Sequence, residues 1–297
     1  MTPIPGMAGW HVVAATARGR SHVVRDMPSQ DAVASQGIPA GGTIIAVADG
    51  HGHERHFRSG TGAALAVHVA CQVATDHAAA FATGNATVIE DALPAAILRR
   101  WRAEVARDIT QHPYTAKERF VLDSDGDGPE VPYGSTLLVA IEANGSLACA
   151  QIGDGDLVAV HPDGDWDCPV PADANLDGLH TTSLCQPNAL EAFRVGVRDL
   201  TARPLLTLLL ATDGYGNAQA AEPWQPRFAR DMAELAARHD PGWFAEQVPA
   251  WAELCASGEG SGDDTTIALL IADRASRPAG EIADKAAGQP RTGGQAT

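Results

Sequence analysis

Three short apolar runs each meet an aspartate at one end, and no other feature restricts the fold as much. Thr43 to Ala48 stops at Asp49-Gly50-His51-Gly52-His53. Leu205 to Ala211 stops at Thr212-Asp213-Gly214, and Asp263-Asp264 leads into Thr265 to Ala272. Runs of this length and composition read as buried strands and are too short for helices. Each aspartate therefore stands where a strand leaves or enters the core. Gly50 and Gly52 let the backbone turn tightly and approach a ligand closely. In antiparallel sheets one strand's end lies beside its neighbour's start, so these carboxylates gather at one edge. Asp154, in the turn Gly153-Asp154-Gly155-Asp156, can join them.

The intervening chain supplies the layers. Gly9 to Ala17 and Ala32 to Ser35 read as strands, separated by a polar stretch carrying Arg18, Arg20, His22 and Arg25. Ser59 to Phe81 has Leu65, Val69 and Val73 at helical spacing, with Ser59 as N-cap. A second helix starts at Asn85 or Thr87 and runs to about Thr110, with Ile89, Leu93, Ile97 and Trp101 on one face. Tyr133 to Ala143 and Leu147 to Ile152 form a hairpin through Asn144-Gly145, and Leu157 to His161 extends it into an antiparallel meander. Asp167 to Leu190 reads as an irregular surface flap and Phe193 to Val197 as a strand. Pro226 to His239 and Gly242 to Ser257 make a second helix pair. Asp123 to Gly128 matches the start of an EF-hand loop, but Gly134 occupies the twelfth position where Glu is required; it reads as a solvated acidic loop. The expected fold is α+β: a four-layer α-β-β-α sandwich of two antiparallel sheets flanked by helix pairs. It fills residues 1–272, followed by a disordered tail over 273–297.

A carboxylate cluster without partners repels itself and raises its own pKa values, a cost that divalent cations remove. Oxygen-only ligands favour Mg²⁺ or Mn²⁺ over Zn²⁺. Two such ions can hold a hydroxide for in-line attack on phosphorus. The net charge of −16 opposes binding to nucleic acid or an anionic membrane surface. Five scattered cysteines without a Cys-x-x-Cys pair read as reduced and intracellular, with Cys71, Cys149 and Cys255 in the core. No stretch approaches transmembrane length, and the N-terminus has no pattern of a secretory signal.

Six motifs in order resemble the metal-dependent protein phosphatases, the type 2C Ser/Thr phosphatases. They are Gln30-Asp31-Ala32, Ala48-Asp49-Gly50-His51-Gly52, Tyr133-Gly134-Ser135-Thr136-Leu137, Ile152-Gly153-Asp154, Ala211-Thr212-Asp213-Gly214 and Gly262-Asp263-Asp264-Thr265. The resemblance spans residues 9 to 272, and His22 matches a Ser-His pair of one bacterial branch. It implies hydrolysis of phosphoserine or phosphothreonine by metal-bound water, with no phosphoenzyme. It also implies a cytoplasmic enzyme acting on phosphoprotein targets of a Ser/Thr kinase. Two Mn²⁺ or Mg²⁺ ions are implied, with a third, weaker one. Asp49 would bridge both ions and the Gly50 carbonyl would add an oxygen. Asp213 and Asp263 complete the first ion, Asp154 with Asp213 supports the third, and Asp31 of the first acidic motif is counted among the metal-site residues. His51 would be the general acid. Arg20 and Arg25 both qualify as the phosphate-gripping arginine, and Arg18 less so. The chain departs from the family at Gln30, where Glu is common, and at Asp264, where Asn is usual.

Two rivals compete. His51-Gly52-His53-Glu54-Arg55-His56 resembles the His-x-His-x-Asp-His signature of metallo-β-lactamase-type zinc hydrolases, with Arg55 in place of Asp. A catalytically silent phosphatase-like binding module is the other.

Overall fold

A computed structural model describes residues 4–5, 9–39, 41–82, 86–126, 128–173, 181–220 and 223–273. Nearly all of the expected tail, 274–297, lies outside them. In chain order the elements are β1 (Ile4–Pro5), β2 (Trp10–Ala17), α1 (Arg20–Val24), β3 (Ala32–Gly37), β4 (Thr43–Ala48), α2 (Ser59–Ala82), α3 (Ala86–Gln111) and α4 (Ala116–Asp125). Then follow β5 (Leu137–Ala143), β6 (Ser146–Ile152), β7 (Asp156–Val160), β8 (Trp166–Asp167), α5 (Ala189–Ala192), β9 (Arg194–Asp199) and β10 (Thr207–Ala211). The chain closes with α6 (Asp213–Gly216), α7 (Gln225–Arg238), α8 (Pro241–Ala256) and β11 (Thr265–Ala272). One sheet has the order β1-β2-β11-β10-β7-β8 and the other β3-β4-β5-β6-β9, with every pairing antiparallel.

The four layers explain why the central strands read as unbroken apolar runs: both faces of each are covered. In β4, Ile45 and Val47 point into the seam between the sheets, where they meet Leu138, Leu208, Leu210 and Leu270. Its alternate residues Ile44 and Ala46 point outward into the layer of Val69, Val73, Ile97 and Trp101 from α2 and α3. On the other side Leu209, Ile267 and Leu269 meet Met232, Phe244 and Val248 from α7 and α8. Truncating one of these buried chains, such as Phe244, costs about 3–5 kcal/mol. Cys71, Cys149 and Cys255 are buried, as expected.

Three details differ from the sequence reading. The Asn144-Gly145 hairpin forms, with positive φ at both residues. The meander does not continue, because β7 leaves for the opposite sheet and pairs with β10. Gly153, at φ +101, turns the chain there, and a Cβ on it would lie 2.4 Å from the Thr136 methyl. Periodicity finds strands but not the sheet each one joins. The polar stretch after β2 contains the short helix α1. Asp123 and Asp125 belong to α4 rather than to a loop. That helix is started by a reciprocal Thr115–Glu118 capping box and ended by Gly126 in the left-handed region.

Candidate active site

The aspartate turns meet at one edge of the two sheets because loops from both are laced together there. The Thr136 N–H donates to the Asp49 carbonyl (2.8 Å), and the Asp49 N–H donates to Thr136 Oγ1 (3.0 Å). The Gly50 N–H donates to the Gln30 carbonyl (3.2 Å) and the His51 N–H to that of Gly134 (3.1 Å). From the other sheet the Thr212 and Thr266 hydroxyls both donate to Asp31 Oδ2, each at 2.8 Å. The Gly153–Gly155 turn that carries Asp154 is held by Arg194, whose Nη2 donates to the Gly153 carbonyl (2.6 Å). The Gly153 N–H donates to Thr182 Oγ1 (2.9 Å).

Asp31, Asp49, Asp154, Asp213 and Asp263 therefore share one electrostatic neighbourhood. Burial lifts the Asp31 carboxyl to about 8; hydroxyl donors oppose the rise, while Asp264 and Asp213 add to it. Burial lifts Asp49 well above the carboxylate range, helped by Asp31, Asp213 and Asp263. Asp213 is raised by burial, then by Asp154 and Asp263. Asp49 and Asp213 each act on the other's carboxyl, which places the ends of β4 and β10 at the same edge. Among the described residues no three acidic, imidazole or thiol groups already stand as a closed ion cage. The donor chemistry nevertheless fits a hard divalent cation. Asp31 Oδ1 and Asp213 Oδ1 are buried without a hydrogen-bond partner, and the available ligands are oxygen atoms.

His51 lies beside this cluster. Its Nε2 hydrogen donates to Ser183 Oγ (2.7 Å), which donates onward to the Ser135 carbonyl (3.2 Å). Burial, and then the nearby His56 ring at 4.9 Å, push the His51 imidazole down to about 4. His53 caps its own turn by accepting from the Arg55 N–H, and His56 Nδ1 donates to the Val131 carbonyl (2.6 Å). These three rings thus spend nitrogens on protein partners rather than turning them toward one ion, which counts against the zinc-hydrolase reading.

Arg20 and Arg25 stand at the two ends of α1, both exposed, and neither forms an ion pair among the described residues. The Arg20 stem lies near Gly258, in the loop that leads to Asp263. Arg18 donates to the Met27 carbonyl at 3.3 Å.

Sequence reasoning missed several contributors. Ser183 gives no local signal; only the folded chain brings the flap's end to His51. The Gln30 side chain, in place of Glu, donates to Ser59 Oγ (2.5 Å) and ties the first acidic motif to the start of α2. Asp264 is not a spare ligand: it accepts three N–H bonds from the segment before Asp31.

No curated protein sequence matches the chain. Solved structures share its fold at low identity. PppA of Pseudomonas aeruginosa, a key regulatory component of T6SS, is 16% identical with a TM-score of 0.56, over 91% of this chain and 100% of that one. The Mycobacterium tuberculosis serine/threonine phosphatase PstP/Ppp is 17% identical with a TM-score of 0.54, over 89% and 99%. The PstP catalytic domain in complex with two manganese ions is 16% identical with a TM-score of 0.53, over 89% and 99%. The sequence profile described as Protein phosphatase 2C matches residues 18–251, most of the described fold. With six motifs in order, a four-layer sandwich and an acidic edge built from both sheets, the chain belongs to the protein phosphatase 2C family.

Proposed function

We propose that the protein is a Mn²⁺- or Mg²⁺-dependent phosphatase of phosphoserine and phosphothreonine in proteins. The observation that carries this reading is the gathering of five aspartates from both sheets, two with buried, unpartnered oxygens, in a chain of this family. Bound divalent cations would supply the activated water and neutralise charge on the phosphoryl group. Asp49, the Gly50 carbonyl, Asp213 and Asp263 would hold the two principal ions, and Asp154 with Asp213 a third. Asp31, fixed by two threonine hydroxyls, would accept from solvent ligands at the site's floor. A neighbour of the same fold, the PstP catalytic domain, is in complex with two manganese ions, which supports the choice of metal.

His51 would protonate the leaving serine or threonine oxygen. Burial and the His56 ring lower its pKa to about 4, and the charge of a phosphate dianion beside it would favour imidazolium. Arg20 or Arg25 would grip the phosphate. The substrate would be a kinase's phosphoprotein product in the cytoplasm, as the reduced, scattered cysteines suggest. Full-length protein with Mn²⁺ should hydrolyse p-nitrophenyl phosphate and a phosphothreonine peptide, and EDTA should abolish both activities. Protein that binds Mn²⁺ yet hydrolyses neither would instead be the silent binding module.

A further inference from the structure

We propose that Asp264, together with His22, is a positioning residue that staples the arginine-bearing segment 19–30 to the metal-ligand turn, and that phosphate affinity depends on this staple far more than ion affinity does. Its functional half rests on the phosphatase reading above.

Asp264 and His22 are both almost fully buried, at 3% and 4% exposure. Asp264 Oδ1 accepts from the Gly19 N–H at 2.7 Å. Its Oδ2 accepts from the Gln30 N–H at 2.6 Å and from His22 Nδ1 at 2.7 Å. One carboxylate thus binds the first residue, the last residue and the middle of the same segment. A Cβ on Gly19 would lie 2.4 Å from the Asp263 carbonyl carbon, so the segment's start rests directly on the turn. The Ser21 N–H donates to the Gly262 carbonyl at 2.9 Å.

Little else holds this segment. In α1 the only buried side chain is His22, while Val23 and Val24 are exposed. A five-residue helix with no apolar face cannot fix itself by propensity or packing. Arg20 and Arg25 ride on it, so its freedom becomes theirs. The ion ligands have independent supports. Asp263 Oδ1 accepts from the Asp264 backbone N–H (2.9 Å), a bond that survives any change of the 264 side chain. Asp31 keeps its two threonine hydroxyls. The departures at Gln30 and Asp264 are therefore parts of one device.

The test compares wild type, Asp264→Asn, His22→Ala and His22→Asn as full-length proteins. Hydrogen–deuterium exchange follows amides 19–30, calorimetry measures inorganic phosphate binding with saturating Mn²⁺, and turnover of p-nitrophenyl phosphate gives kcat, KM and the Mn²⁺ half-saturation. In Asp264→Asn, the phosphate Kd and KM should rise about tenfold, corresponding to about 1.4 kcal/mol, while kcat and Mn²⁺ half-saturation change by less than about twofold. Amides 19–30 should exchange faster. His22→Ala should follow in the same direction and serves alone if Asp264→Asn fails to fold. His22→Asn should restore phosphate affinity, because its Nδ2 donor takes the place of Nδ1. The proposal is overturned if exchange is unchanged, if Mn²⁺ half-saturation shifts as much as KM, if His22→Asn behaves like His22→Ala, or if wild type does not bind phosphate. Wild-type protein that binds phosphate but turns nothing over defeats the phosphatase reading alone; exchange and calorimetry still decide the staple.

Discussion

Two clusters of charged side chains lie within a few residues of each other, with Tyr133 in one and Thr136 in the other, and they solve the same problem in opposite ways. In the first, Arg58 sits at the centre. It donates to Glu118 (3.2 and 3.3 Å), the Tyr133 hydroxyl (2.8 Å) and the His112 carbonyl (2.7 Å), and its guanidinium lies over the Tyr114 ring at 4.5 Å. Burial pushes Asp108 and Glu118 up, but their hydroxyl, backbone and Arg58 partners outweigh it and hold both below the usual carboxylate range. In the second cluster the charges bearing most on Asp31, Asp49 and Asp213 are other aspartates, and all three are raised. One network contains its cation covalently; in the proposed function the other would be completed by a cation from solution. Carboxylates equally rich in neighbours are lowered in one place and raised in the other because of the sign of what surrounds them.

The contrast is broken most severely at Asp213. Asp213→Ala should abolish Mn²⁺ stabilisation in a thermal melt. Turnover should fall beyond the roughly 10–100-fold typical of a lost outer-shell partner, and excess Mn²⁺ should restore little. Retained Mn²⁺ binding would remove Asp213 from the ligand set. Next in size, His51→Gln should lower kcat on a phosphopeptide by about 10²–10⁴-fold and leave Mn²⁺ binding intact. Its effect on p-nitrophenyl phosphate should be much smaller, since that leaving group needs little protonation; equal losses on both would exclude His51 as the acid.

Arg58→Met attacks the other cluster and strands Glu118 and Asp108. Urea unfolding should show a loss of about 1–3 kcal/mol, with Mn²⁺ half-saturation unchanged. A shifted half-saturation would show the two clusters to be coupled. The smallest effect is in pH. Asp31 binds its proton up to about pH 8 when folded but only to its ordinary 3.8 when unfolded, so without metal its contribution falls as pH rises toward 8. His51, lowered to about 4 from 6.5, works the other way, but only below pH 6.5. Metal-free protein should therefore lose a few degrees of melting temperature between pH 6.5 and 8, and saturating Mn²⁺ should flatten the slope. A metal-free melting temperature that rises over this range would contradict the charge-excess picture.

The strands ending in Asp49 and Asp213 and the one beginning after Asp263 were legible because a buried strand and its terminal turn are local patterns. Both long helix pairs were legible for the same reason, and with them the four layers. The destination of β7 was not, since nothing in Leu157 to His161 distinguishes one sheet from the other. The helix α4 carried a readable Thr115-x-x-Glu118 start, but its acidic last turn resembles a loop. At the site, the aspartates were legible as residue types at turns. Their supports were not: Asp264 reaches His22 across 242 positions and His51 reaches Ser183 across 132, and such contacts exist only after folding.

The place of β11 sets an order of events during synthesis. Among the described residues it is the last strand, yet it lies inside its sheet between β2 and β10 and pairs with β2 along its full length. Until it emerges from the ribosome, β2 and β10 have no common neighbour and their apolar edges stay unpaired. Asp263 and Asp264 arrive with it. A nascent chain can assemble α2, α3 and the five-stranded sheet early, but it cannot complete the acidic edge or fix the α1 segment until β11 has been made. Completion of the acidic edge thus waits for this strand, and a chain cut short before Thr265 is left with a split sheet.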